Sequence, residues 1–224
     1  MIHVECEQGS VEWISHRLGI PTASRFGDII TEKTVKPSAS AEKYIARLVA
    51  EWMLGMPLDE DGQGFMARGT ELEASAVAFY ELQQDIDVVR CGFCLTDDQQ
   101  VGASPDRFVG EDGLLEIKVP SAMVHVGYLL GNPMSHRAQV QGQLYVCERE
   151  WADLLSWHPT LPPSIVRKNR DDVFLKKFEP ILKQFVQRLD EAKQQMIDKG
   201  YKAPDDRVGG WLREALAASV AEAE

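Results

Sequence analysis

GASPDRFVGEDGLLEIKVP, residues 102–120, is the stretch that decides how this chain is read. It carries two acids, Asp106 and Glu116, and one base, Lys118, around a short polar turn. The run reads as a β-hairpin, and the loop length decides which side chains share a face, because a one-residue slip inverts a strand. If Glu111-Asp112 alone forms the loop, Asp106 pairs with Ile117 and faces away from Glu116. If the loop is Glu111-Asp112-Gly113, Gly110 pairs with Leu114, and Asp106, Glu116 and Lys118 fall on one face. The second register is expected, since a three-residue loop needs a positive φ at its third position and Gly113 stands there. Leu115, Ile117 and Val119 then form an apolar opposite face. Pro105 removes a ladder donor and marks a bent start to the strand.

Two carboxylates on one face suit Mg2+, a hard cation that prefers oxygen ligands and keeps several waters. Such an ion polarises a phosphate and lowers the pKa of a bound water. A lysine on the same face can orient that water or stabilise the charge growing on the phosphate. The pattern also fits a solvated charged face with an Asp–Lys surface pair, and spacing alone leaves both readings open.

The totals bound the rest. The chain has 224 residues, 44% of them apolar and 26% charged, enough for one large domain or two small ones with a sizeable core. No apolar run approaches the roughly 20 residues of a membrane span. MIHVECEQGSVEW at the N-terminus lacks a basic region followed by an apolar one, so no secretory signal and a cytoplasmic location are expected. The net charge of −11 argues against a broad basic surface for coating DNA. It leaves room for a locally basic groove on an acidic body. Of the four cysteines, Cys6, Cys91, Cys94 and Cys147, only the CGFC pair is close in sequence. A redox CxxC normally opens a helix after a strand, whereas VVRCGFCLTD reads as extended on both sides. No second CxxC exists to complete a zinc site, so the expectation is buried, reduced strand cysteines.

Along the chain, residues 10–19 read as a short helix with Ser10 as N-cap, and TASRFGDII as a second helical stretch after Thr22. Residues 40–54 read as an amphipathic helix and GMPLDEDGQG as loop. Residues 69–84 are expected to be helical, followed by strands in DVVRCGFCL, VGASPDRFV and LLEIKV. A helix over 135–146, a strand in WADLLSWHP, a connection and a long helix from about 178 to 199 complete the pattern. Helices on either side of a block of strands imply one α/β domain with a mixed sheet, spanning 1–206. GGWLREALAASVAEAE supplies a C-terminal helical tail, 207–224.

SPD followed by E-I-K resembles the PD-(D/E)xK nuclease superfamily, and the chain as a whole resembles the lambda-exonuclease (YqaJ-type) phage recombination nucleases. Four blocks occur in the family's order: QGSVEWISHRLGIPTAS at 8–24, RGTELEASA at 68–76, GASPDRFVGEDGLLEIKVP at 102–120 and AQVQGQLYV at 138–146. The resemblance covers about residues 8–158. It implies a restriction-endonuclease-like core, a central mixed β-sheet flanked by helices. It also implies a metal site of Asp106, Glu116 and the backbone carbonyl of Ile117, with Glu73 serving a second ion. Lys118 corresponds to the catalytic lysine and Gln139 to a helix glutamine that holds the active-site water or the lysine. Gln141 and Tyr145 match a Q-x-x-x-Y pattern of related nucleases. Arg17 and Ser24 correspond to residues that bind a 5′-terminal phosphate, and Met66 to a wedge that splits terminal base pairs. The resemblance further implies two Mg2+ ions (or Mn2+), a homotrimeric ring around double-stranded DNA and processive 5′→3′ digestion of one strand. A single-strand annealing protein is the implied partner, and a bacterial host's cytoplasm the implied location. The alternatives are another nuclease of the superfamily, such as an endonuclease or junction resolvase, and a non-catalytic DNA-end binder.

Overall fold

The computed structural model describes residues 1–58 and 62–202, with the side chains of 62–71 outside that description. Met66 and the 207–224 tail, expected to be a wedge and a helix, therefore lie outside the described side chains and residues. In chain order the elements are β1 (Ile2–Val4), α1 (Val11–Arg17), a 3-10 turn (Ala23–Arg25), α2 (Phe26–Ile29), β2 (Ile30–Thr31), β3 (Lys36–Pro37), α3 (Ala41–Leu54) and α4 (Gly62–Gln84). They continue with β4 (Val88–Arg90), β5 (Phe93–Leu95), β6 (Gly102–Ala103), β7 (Arg107–Val109), β8 (Gly113–Lys118), α5 (Ala122–Leu129), α6 (Arg137–Val146), β9 (Trp151–Ser156), β10 (Ser164–Asn169) and α7 (Asp172–Asp198). No helix among the described residues is long and apolar enough to cross a membrane.

A five-stranded sheet in the order β10-β9-β8-β7-β4 forms the centre. The β8–β9 pair is parallel and the others are antiparallel, so the expected mixed α/β architecture is the one observed. Side chains alternate between two apolar layers. Phe108, Leu114, Ala152 and Leu154 pack under α3, α6 and α7, while Val109, Leu115 and Leu155 pack under Ala76 and Tyr80 of α4. β8 is thus covered on both faces, which is why GLLEI is nearly continuously apolar. A three-stranded sheet, β1-β5-β6, flanks this core.

The β7–β8 hairpin differs from expectation in its loop. Val109 pairs with Gly113, so the loop is Gly110-Glu111-Asp112, one residue earlier than expected. The positive φ falls on Gly110, at 56°. Gly113 is required for a different reason: a Cβ there would lie 2.3 Å from the Trp151 ring. Because the loop still has three residues, extending the register by one step sets Asp106 opposite Glu116, and the shared face survives.

Other elements also depart from the sequence reading. α4 begins at Gly62, not 69, running through glycines that argue for loop. TASRFGDII is a 3-10 turn followed by a single α-turn, and the Thr22 side chain makes no capping bond. β1 and α5 were not expected, and β10 was read as connection because Arg167 and Lys168 mask its alternation. Arg167 pairs with the buried carboxylate of Asp153 through Nε–Oδ1 at 2.9 Å and Nη2–Oδ2 at 2.8 Å, and Tyr80 donates to the same group. α7 starts six residues before the expected 178, capped by Asp171 accepting from the Phe174 N–H at 2.9 Å. Pro180 lies within it on the solvent side.

α6 sits unusually close to the 3-10 turn. A Cβ on Gly142 would lie 2.2 Å from the fully buried Phe26 ring. Overpacking at such a point costs typically about 1–3 kcal/mol. Gly142→Ala should therefore lower stability by about 2 kcal/mol in urea unfolding, while Gly27→Ala, where a methyl meets nothing within 4 Å, should not.

Candidate active site

The register just described brings the expected acids together at the open end of β8. Asp106 accepts the Ile117 backbone N–H through Oδ2 at 2.5 Å. In an extended strand the N–H and C=O of one residue point to the same side, so the Ile117 carbonyl faces Asp106 too. Glu116 is 5% exposed, and both its oxygens are engaged. Lys118 Nζ and Gln139 Nε2 donate to Oε1 at 2.7 and 2.6 Å, and Gln143 Nε2 donates to Oε2 at 2.7 Å. Lys118 Nζ also reaches Gln139 Oε1 at 3.3 Å. Gln139 and Gln143 stand four residues apart on α6, and so on one face of it.

Glu73 comes from α4. Its Oε1 lies 2.8 Å from Arg107 Nη1, which also donates to the Asp106 carbonyl at 2.6 Å. Three carboxylates therefore converge with two cations, Lys118 and Arg107. Burial and then the neighbouring Glu116 charge push the Asp106 carboxyl well above the usual range, against the pull of the Ile117 N–H. Burial works to lower the Lys118 ammonium, but the charge and hydrogen bond of Glu116, with Asp106, outweigh it and raise its pKa above the ordinary value. Lys118 is thus held as a cation, suited to stabilising negative charge rather than to accepting a proton.

The site has an excess of negative charge and an all-oxygen donor set in Asp106, Glu116 and the Ile117 carbonyl, with Glu73 alongside. Gln143, which donates to Glu116 through Nε2, has its Oε1 buried without a partner. These groups could hold a hard divalent cation with its waters. Thiol or imidazole ligands of the kind that select softer metals are not part of the cluster.

Arg17 and Ser24 belong to the neighbouring element pair. Trp13 Nε1 donates to Ser104 Oγ at 2.9 Å and Gln8 Nε2 to the Pro105 carbonyl at 3.0 Å, so α1 is fastened to the residues leading into Asp106. The Arg17 guanidinium stacks over the Trp13 ring, 4.3 Å from its centroid. Arg17, Arg25 and Arg47 line a small cleft with Thr22, Tyr44 and Glu51. Ser24 is exposed and lies 3.3 Å from Thr22 through their hydroxyls. Thr22 also bridges to Gly102, four residues before Asp106.

Gln141 and Tyr145 do not join the carboxylate cluster. Gln141 donates to the Asn169 carbonyl at 2.9 Å and accepts from the Asp171 N–H at 2.7 Å, and Tyr145 packs edge-on against Phe178. They fasten α6 to the start of α7, because they project from the face of α6 opposite Glu116. The sequence reading missed Gln143 and Arg107. The first was visible as a second glutamine one turn after Gln139, and the second as the residue directly after Asp106.

Comparison with known proteins bears on this geometry. An alkaline exonuclease, LHK-Exo, from Laribacter hongkongensis superposes with a TM-score of 0.75 at 32% identity, over 85% of this chain and 98% of that one. The same enzyme in complex with dAMP matches equally. A phage-related exonuclease from Haemophilus somnus 129PT shares the fold at 14% identity, with a TM-score of 0.62 over 79% of this chain and 96% of its own. No curated protein matches by sequence. Residues 12–150, which include the α1 cleft, the hairpin and α6, match the YqaJ-like viral recombinase domain. With that match spanning more than half of its length, the chain belongs to the YqaJ-like viral recombinase family.

Proposed function

We propose that this protein is a Mg2+-dependent exonuclease that digests the 5′-phosphorylated strand of linear double-stranded DNA and leaves a 3′ single strand. A nuclease role follows from the family and from the fold it shares with an alkaline exonuclease. The observation that carries the finer reading is the Asp106–Glu116–Lys118 face, with α6 glutamines holding Glu116 from behind.

In this reading Asp106, Glu116 and the Ile117 carbonyl hold one ion, and Glu73 serves a second. Mn2+ substitutes for Mg2+. Such ions, when bound, polarise the scissile phosphate and supply a water of lowered pKa. The chain's own residues do the rest. Gln139 and Gln143 fix the Glu116 carboxylate, so no side-chain ordering is left to the reaction step. Lys118 brings a fixed positive charge to the phosphate, where negative charge grows. Arg17 grips a terminal 5′-phosphate through paired hydrogen bonds, and Ser24 adds a hydroxyl. That the Laribacter relative binds dAMP, a mononucleotide, supports recognition of a terminal phosphate. Processive movement, a homotrimeric ring, a Met66 wedge and hand-over of the 3′ strand to a single-strand annealing protein belong to the same proposal.

Asp106→Ala should abolish Mg2+-dependent digestion while duplex binding persists. Lys118→Ala should keep metal binding and lose roughly 100- to 1,000-fold in rate, as removal of one charge-stabilising donor does elsewhere. Digestion by Asp106→Ala at ordinary enzyme levels would refute the metal assignment.

Arg17 gives a separate test. Hydrolysis at the ions is the same chemistry from either end, so polarity needs a group that recognises one terminus. Wild-type protein should digest a 5′-phosphorylated duplex much faster than a 5′-hydroxyl duplex, and Arg17→Ala should remove most of that difference. Equal slowing of both substrates would make Arg17 a general DNA contact.

A further inference from the structure

Away from the carboxylate face, three cysteines that the reaction does not use meet in the core. Cys91, Cys94 and Cys147 are 0%, 0% and 1% exposed, and none is in a disulfide. Their sulfurs all lie within 4.8 Å of one another, with Cys91 and Cys94 at 3.6 Å. They arrive from three places: Cys91 after β4, Cys94 within β5, and Cys147 at the C-terminal cap of α6. Two features of the backbone bring them there. Gly92 has φ +67° and passes so close to β1 that a Cβ would lie 2.4 Å from the Val4 carbonyl, which folds the CGFC turn back on itself. The Cys147 N–H bonds to the Gln143 carbonyl at 2.8 Å, which holds the last turn of α6 in place.

Burial of cysteine as a small apolar residue explains each position singly. It does not explain why three sulfurs from separated segments point at one spot, when apolar packing has no preference for thiol beside thiol. A disulfide would use two and leave the third. Thiolates at about 2.3 Å from a zinc ion stand about 3.8 Å apart in a tetrahedron, close to the 3.6 Å observed. One cation, Arg149, acts on the Cys91 and Cys94 sulfurs, and the His3 ring lies on the same side of the core. The Arg149 guanidinium lies 4.6 Å from the centroid of the Phe108 ring, and the His3 ring meets that same ring edge-on. His3 is paired with Cys94 across β1 and β5, so the two side chains leave the same face.

We propose that Cys91, Cys94 and Cys147 form a structural site for a thiophilic d10 cation of the zinc class, with His3 turning from the Cys91 carbonyl to supply the fourth donor. Each sulfur binds as a thiolate, and every proton still held by a thiol passes to solvent as its metal–sulfur bond forms, so binding M2+ releases protons. The ion ties the β4–β5 turn and β5 to the end of the helix that carries Gln139 and Gln143. Its ligands are soft, whereas the candidate catalytic cluster offers only oxygen, so the two sites select different metals. The inference does not depend on the nuclease reading.

The test is metal content and spectroscopy of the full-length protein. Protein purified without chelator should carry about one zinc per chain, released by a mercurial thiol reagent. Protein refolded with Co2+ should show thiolate-to-metal charge-transfer absorption and the intense visible bands of a tetrahedral site. Asp106→Ala should keep both signatures, Cys94→Ser should lose them, and His3→Ala should bind the metal more weakly. Wild-type protein that takes up neither zinc nor Co2+ and titrates as free thiols would overturn the proposal. So would a mass short by two hydrogens, which marks a disulfide, or full zinc content in Cys94→Ser. The wild-type measurements decide the matter even if a cysteine variant fails to fold.

Discussion

The bond from the Ile117 N–H to Asp106 Oδ2 fixes the geometry on which the candidate active site depends. It crosses from one arm of the hairpin to the other where the regular ladder ends, and it holds Asp106 opposite Glu116. Cross-strand neighbours lie about 5 Å apart, and two carboxylates at that distance repel by about 3 kcal/mol at an effective dielectric near 20. A hydrogen bond to a charged acceptor returns only about 1.5–3 kcal/mol. The balance comes from Lys118 and Arg107, and a bound cation would tip it further. The Asp106 pKa is raised first by burial and then by the Glu116 charge, so part of the cost of ionising it is the loss of water around it.

The surrounding structure serves that hairpin. Trp13 of α1 and Gln8 just before it fasten residues 104–105, α6 presses two glutamines onto Glu116, and α4 brings Glu73 alongside Arg107. Close approach at Gly113 and Gly142 lets Trp151 and Phe26 lock the two supports, β8 and α6, against their neighbours. These contacts give a physical reason for two of the four sequence blocks, the first and the last. QGSVEW carries the anchors of the SPD segment, TAS forms the turn on which Gly142 rests, and AQVQGQ alternates the face toward Glu116 with the faces that pack.

Much of this was legible in the sequence because it rests on local alternation. A three-residue loop set Asp106, Glu116 and Lys118 on one face, and the outcome held although the loop began one residue earlier. The positive φ could not be assigned between Gly110 and Gly113 from sequence, since Gly113 answers to Trp151, about forty residues away. β10 is hard to see because Arg167, a charged residue in the middle of the strand, pairs with the buried Asp153 instead of facing water. Which of the α6 glutamines meet Glu116 is set by the packing of that helix on Phe26 and α7, and Gln143 follows from Gln139 only once that face is known. The convergence of Cys147 with Cys91 and Cys94 lay equally out of reach, since no spacing rule links residues from separate elements.

Hydrolysis in the proposed reading needs both the carboxylate face and a free DNA end. The most direct measurement incubates the protein with 5′-phosphorylated linear duplex, nicked circular duplex and covalently closed circular duplex, each with and without Mg2+. Mg2+ should be required, the linear duplex should be converted to 3′ single strands and mononucleotides, and the closed circle should be untouched. Cleavage of the closed circle, or digestion that persists in chelator, would contradict it.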